Sequence, residues 1–151
     1  MFEPVRIEGL AELQEALREL PDATARNVLR RVAKEVLEPI AERARQLVPV
    51  NDGRLRDSIK VSGSLSRRQK SQFQRTDPND VVMFAGAGAL PQAHMMEFGT
   101  IDVAPRPFMR PAWDSGKQPL LDTLKDILWA QIEKAAKRAE RKAAKLAAAG
   151  E

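Results

Sequence analysis

Cysteine is absent from the 151 residues, and histidine occurs once, as His94. These two gaps exclude disulfides, thiolate nucleophiles, cysteine-bound zinc and any site that needs two imidazoles. No Gly-x-Ser-x-Gly turn is present, and one histidine would have to serve every hypothetical triad. No stretch approaches the roughly 20 apolar residues that span a bilayer. Residues 1–10 carry Glu3, Pro4 and Glu8 where an export signal needs a basic and then an apolar run. The expectation is a cytoplasmic chain with no membrane contact, no cofactor, no metal and no reaction of its own.

What is present fits one soluble domain over residues 1–151, with 43% apolar and 30% charged residues. The net charge of +4 is unevenly placed: residues 49–80 and 117–151 are the basic stretches. Residues 2–8 read as a short strand. Leu10, Leu13, Leu17 and Leu20 then recur at helical spacing up to Pro21. Asp22 is the expected cap of a second helix whose apolar positions run from Val28 to Leu47 and stop at Val48-Pro49, with Pro39 kinking it. Leu55, Ile59 and Val61 suggest a turn passing into a strand.

Periodicity is lost over residues 62–80, a long basic loop with Leu65 and Phe73 as its apolar members. Val81 to Ala85 reads as a buried strand, residues 92–98 as a helical turn, and residues 101–104 as a returning strand before a proline-studded stretch. From about Gln118 the spacing of Leu121, Leu124, Leu128 and Ile132 predicts a last helix, whose Ala/Lys-rich end forms a polar tail over residues 134–151. Thirty helical residues measure roughly 45 Å, against a diameter of about 38 Å for a compact chain of this length. Such a helix overhangs its own domain.

The possible sites are few. The glycines of residues 84–89 lack the third glycine and the lysine of a phosphate cradle and read as a strand-exit turn. His94 and Glu97 stand three apart with no second histidine to complete a metal site. Phe98 reads as an apolar anchor, Gly99 as a backbone angle that a Cβ resists, and Glu97 as the partner of a cation, Arg106 or Arg110. Phe108 and Met109 offer an apolar plug between stiffening prolines. Arg67, Arg68, Lys70 and Arg75 are the candidates for contact with nucleic-acid phosphates, with thin support for base stacking from Phe73 alone. Asp122 and Asp126 read as surface charges.

Three motifs occur in order: a helix ending at Val48-Pro49 with Gly53, Leu55 and Ser58-Ile59 after it; Glu97-Phe98-Gly99-Thr100; and Pro105-Arg106-Pro107-Phe108-Met109-Arg110-Pro111. In this order the chain resembles the phage morphogenesis family typified by the tenth gene product of coliphage Hong Kong 97, over about residues 33–128. It departs from that family in carrying Asp52 where threonine is common before Gly53, and His94-Met95-Met96 where tyrosine is common.

The resemblance implies an α+β subunit: a small antiparallel sheet packed on a long kinked N-terminal helix, with a long C-terminal helix. It implies a homo-oligomeric ring at the neck or tail end of a virion, with no cofactor, and as neighbours a head-completion or adaptor protein and a tail-terminator or tail-tube protein. Passing contact between the loop cations and packaged DNA is a corollary. The alternative from another class is a small basic nucleic-acid-binding regulator or toxin, suggested by a pI near 9.7.

Overall fold

Val28, Val32, Val36, Ile40 and Ala44 repeat every four residues, and all five are buried. They form the inner stripe of α2 (Asp22–Leu47), the helix around which the chain is organised. The computed structural model describes residues 10–51, 53–65, 67–73 and 80–149. The remaining elements are α1 (Leu10–Arg18), α3 (Arg54–Ser58), β1 (Lys60–Ser62), α4 (Arg67–Gln72), β2 (Phe84–Gly86), α5 (Pro91–Phe98) and α6 (Met109–Ala149). The architecture is α+β and mostly helical, with two long helices and one small sheet.

Two apolar clusters lie along α2. Near its start, Val28, Val32 and Val36 meet Leu13 and Leu20 from the α1 segment and Leu128 and Ile132 of α6. Near its end, Ile40, Ala41, Ala44 and Val48 meet Ile59, Phe108 and Ala112. The second cluster is built from small residues: Ala41, Ala44 and Ala112 are fully covered, so the α2 and α6 backbones approach closely there. Gly116 is part of this approach, since a Cβ at that position would lie 2.5 Å from Ile40 Cγ1.

The sheet has two strands, antiparallel, with Lys60 opposite Gly86, Val61 opposite Ala85 and Ser62 opposite Phe84. Two strands alone are marginal in water, so this pair depends on its attachment to α2. Arg45 of α2 provides part of it. Its Nε and Nη2 donate to the Ile59 carbonyl at 3.1 and 2.9 Å, while Nη1 reaches Glu38 and Glu42 at 3.0 and 2.8 Å.

Several expectations are corrected. Asp22 is the first helical residue rather than the cap; Pro21 precedes the helix and its carbonyl accepts from the Thr24 and Ala25 amides. Residues 54–58 form a helix before the strand begins, and the expected loop of 62–80 contains α4. The expected strand of 81–85 is shorter and displaced to 84–86, because β1 supplies only three partners and leaves 81–83 without a ladder. Residues 101–104 form a turn closed on itself: the Thr100 amide donates to the Val103 carbonyl at 2.9 Å, and the Val103 amide to Thr100 Oγ1 at 3.1 Å.

The last helix starts at Met109, well before Gln118, and contains Pro111 and Pro119. Pro111 falls in the first turn, where its missing N–H has no helical partner to lose. Helix α2 continues across Pro39 as one element. The expected strand of 2–8 lies outside the described residues. At 41 residues, α6 is about 60 Å long, against about 39 Å for the 26 residues of α2. Residues 137–149 are exposed throughout.

The Gly116–Ile40 approach yields a test whose sign opposes helix propensity. Glycine to alanine in a helix interior ordinarily gains up to about 1 kcal/mol. Here the new methyl meets the stiff, β-branched stem of Ile40, and overpacking costs about 1–3 kcal/mol. Gly116→Ala is expected to lower the thermal midpoint, and to cost less in an Ile40→Ala background, where the Cγ1 it would meet is gone; circular dichroism melts of the four chains read the difference.

Candidate functional site

Helix α5 ends at Phe98 because Gly99 turns the chain, with φ +77° and its amide on the Met95 carbonyl at 2.8 Å. A Cβ at Gly99 would lie 2.8 Å from the Val103 carbonyl and 2.9 Å from the Pro105 nitrogen, so the turn excludes any larger residue. Residues 100–105 then fold back, and the Arg106 amide donates to the Met96 carbonyl at 2.7 Å. This return carries Phe108 into the second core cluster, where it is 1% exposed.

Glu97 joins the two sides of the turn. Its Oε2 accepts from the amides of Phe108 and Met109, both at 2.9 Å, and its Oε1 from the amide and the Nε of Arg110, both at 3.0 Å. Arg110 Nη2 also donates to the Glu97 carbonyl at 2.8 Å. The carboxylate therefore occupies the N-terminus of α6, satisfying amides that have no helical acceptor and facing the positive end of the helix dipole.

Glu97 is the buried charged residue among those described, 6% exposed. Burial by itself would raise its pKa, but the Phe108, Met109 and Arg110 amides, followed by the Arg110 guanidinium, outweigh it and hold the carboxyl below the usual carboxylate range. The Arg110 side chain is more than half exposed, so water screens its share and the amides carry most of the effect.

The expected cation for Glu97 is thus Arg110 and not Arg106, and the backbone amides are the larger partner. Phe98 differs from its expected role. It is 57% exposed rather than buried, with the His94 ring at 4.8 Å and the Arg110 guanidinium 5.0 Å above its face. Phe108 is the buried anchor, while Pro105, Pro107 and Pro111 are exposed around it.

The first motif meets this turn from the other side. Gly53, at φ +79°, starts α3; Ile59 is buried against the Phe108 cluster; and Pro49, Gly53 and Leu55 share a cleft with Gln92 and Met96 of α5. The structure therefore brings the three motifs to one place, around the buried Phe108. Among the described residues no group of three His, Cys, Asp or Glu side chains could hold a metal ion. Gly86 ends β2, and the Gly88 amide donates to the Ser58 carbonyl, as a strand-exit turn requires.

Of the basic candidates, Arg67 and Lys70 are exposed on α4, away from the Glu97 turn in sequence, whereas Arg75 and the Arg68 side chain lie outside the description. Phe73 is occupied edge-on by Phe84 at 5.2 Å. Two features were missed from sequence: the Phe108–Arg110 amides, hidden by the misplaced start of α6, and the Arg45 tether, which carries no local signature.

The three motifs thus converge on a capped turn within a mostly helical scaffold. Residues 11–99 match the HK97-gp10-like family model, described as a bacteriophage HK97-gp10 tail-component, and the chain belongs to this family of phage tail components. The match ends at Gly99, so the Pro105–Pro111 stretch and α6 lie beyond it. No curated protein and no solved structure matches the chain. No helix of the described residues is long and apolar enough to cross a membrane.

The Glu97 cap gives a stability prediction with a definite sign. Its folded-state pKa is depressed, so its contribution is present above the unfolded-state pKa and is lost as pH falls through the folded-state value. Glu97→Gln is expected to cost about 1–3 kcal/mol at pH 7, the range for a buried charged hydrogen-bonding group. The gap from wild type should narrow as pH falls through the carboxylate range. Denaturant unfolding of both chains at neutral and acidic pH measures it.

Proposed function

We propose that the chain is a structural virion subunit of a tailed phage that forms a homo-oligomeric ring at the neck or tail end. In this reading residues 1–151 act as one neck or tail-joining domain and catalyse nothing. The observation that carries it is the shape of α6: about 20 Å longer than the helix it packs on, with an exposed end that its own chain does not cover. Exposed Phe98, Ile101 and Val103 around a rigid turn add apolar surface of the kind that subunit contacts remove from water. The motif residues Pro49, Gly53, Leu55, Ile59 and Glu97 to Pro111 build the ring body. The flanking tiers are a head-completion or adaptor protein on one side and a tail-terminator or tail-tube protein on the other.

Within the ring, the segment bearing Arg67, Arg68, Lys70 and Arg75 faces the DNA channel. Flexible cations contact phosphate without reading sequence, which leaves the DNA free to slide. The chain is expected in purified virions by mass spectrometry and as a closed oligomer by native mass measurement. A chain that stays monomeric and is missing from particles would overturn the proposal. Arg67→Gln with Lys70→Gln should leave the oligomer intact and reduce the salt slope of DNA binding by about one per residue removed. An unchanged slope removes the channel role alone.

A further inference from the structure

The turn after α5 displays apolar side chains that the chain itself leaves uncovered. Ile101 is fully exposed and Val103 is 53% exposed, on a loop fixed at both ends by Gly99 and the Glu97 cap. Across residues 100–104 the one charged side chain is Asp102, also exposed. The loop is thus a small apolar knob with a single negative charge at its tip.

At the far end of α6 lies a groove of about 510 Å³ between that helix and the start of α2. Its apolar lining includes Val28, Ala135, Ala139 and Leu146, the last 66% exposed. Among the described residues no carboxylate lines it, and Arg31, Lys134, Arg138 and Lys142 are its charges. Lys134, Arg138 and Lys142 follow one another at intervals of four along α6, so like charges are neighbours on one face, an arrangement that destabilises an isolated helix. None of these three makes an ion pair among the described residues.

Knob and groove complement each other in polarity and charge, and one chain cannot join its own pair. Arg110, bonded to the base of the knob, and Arg138, in the groove, stand 28 residues apart on α6, about 42 Å.

We propose that the occupant of the groove is the 100–104 turn of a second copy of this chain, with Ile101 and Val103 on the apolar lining and Asp102 among the α6 cations. The contact uses two different surfaces, so each copy offers one knob and one groove, and repetition by a rotation that divides a full turn closes a ring. This rests on the ring reading above and identifies the contact that forms it. Because the knob is held rigid before it binds, little chain entropy is lost on docking.

The test exploits the absence of cysteine: Ile101→Cys and Ala139→Cys place single thiols on knob and groove of the full chain. Mixed, the two variants are expected to give a cross-linked heterodimer with a short bismaleimide, both in solution and in purified particles. The doubly substituted chain should give a ladder that ends at the number of subunits in the ring. Asp102→Lys and Arg138→Glu are each expected to weaken self-association at least tenfold, and together to restore it, with no loss of helical circular dichroism because both side chains are exposed. Oligomers that form without the 101–139 link, or that link 101 to 101, overturn this contact and leave the ring reading in place. A wild-type chain that is monomeric and absent from particles overturns both.

Discussion

The carboxylate of Glu97 at the N-terminus of α6 is the interaction on which the arrangement of the other elements depends. Four donors converge on it, three of them backbone amides that a helix start always leaves without partners. One side chain thereby fixes where α6 begins, how α5 meets it and how residues 100–105 return. Because the acceptor is charged and mostly out of water, the bonds are stronger than neutral ones, and the loss of any one leaves a buried charge under-solvated. Gly99 is the geometric condition for this closure: a Cβ there would collide with the returning strand of chain before the amides reached the carboxylate.

From that fixed start, α6 runs along α2, and the two apolar clusters follow from the residue sizes on the facing stripes. Alanines and Gly116 near the Glu97 end bring the backbones together, while valines, leucines and Ile132 further along keep them at ordinary side-chain separation. The same gradient explains why the sheet sits beside the close-packed end. Ile59 enters that cluster directly, and Arg45 holds the Ile59 carbonyl, so a pair of three-residue strands is stabilised by its attachments more than by its own ladder.

Much of this was legible in the amino-acid pattern, and the failures have a common cause. The stripes of α1 and α2, the Val48-Pro49 stop, the Gly99 turn and the overlong last helix all rest on local signals that tertiary contacts did not override. The family resemblance was likewise legible, from short motifs in a fixed order. What misled was proline and partner availability. Pro111 reads as a breaker unless the helix start is known, and that start depends on Glu97, more than ten residues upstream. Residues 81–83 and 101–104 have strand-like composition, but a strand needs a partner, and none of the described residues pairs with them. Phe108 is buried as a plug should be, whereas the exposure of Phe98 was missed because the direction of the return after Gly99 is set by amide geometry that composition does not record.

The distribution of rigidity bears on what such a chain is for. Here the buried carboxylate is consumed by backbone amides, so its bonding capacity is spent on shape. The residues left exposed around it, Phe98, Ile101 and Val103, are apolar and stand on a backbone that cannot easily rearrange to hide them. A cost of that kind persists in a sequence when the exposed surface is covered in the assembled state, and a defined turn presents it in a single orientation. In the ring proposed above, closure would demand such fidelity, because an angular error at one contact is multiplied by the number of subunits before the last meets the first.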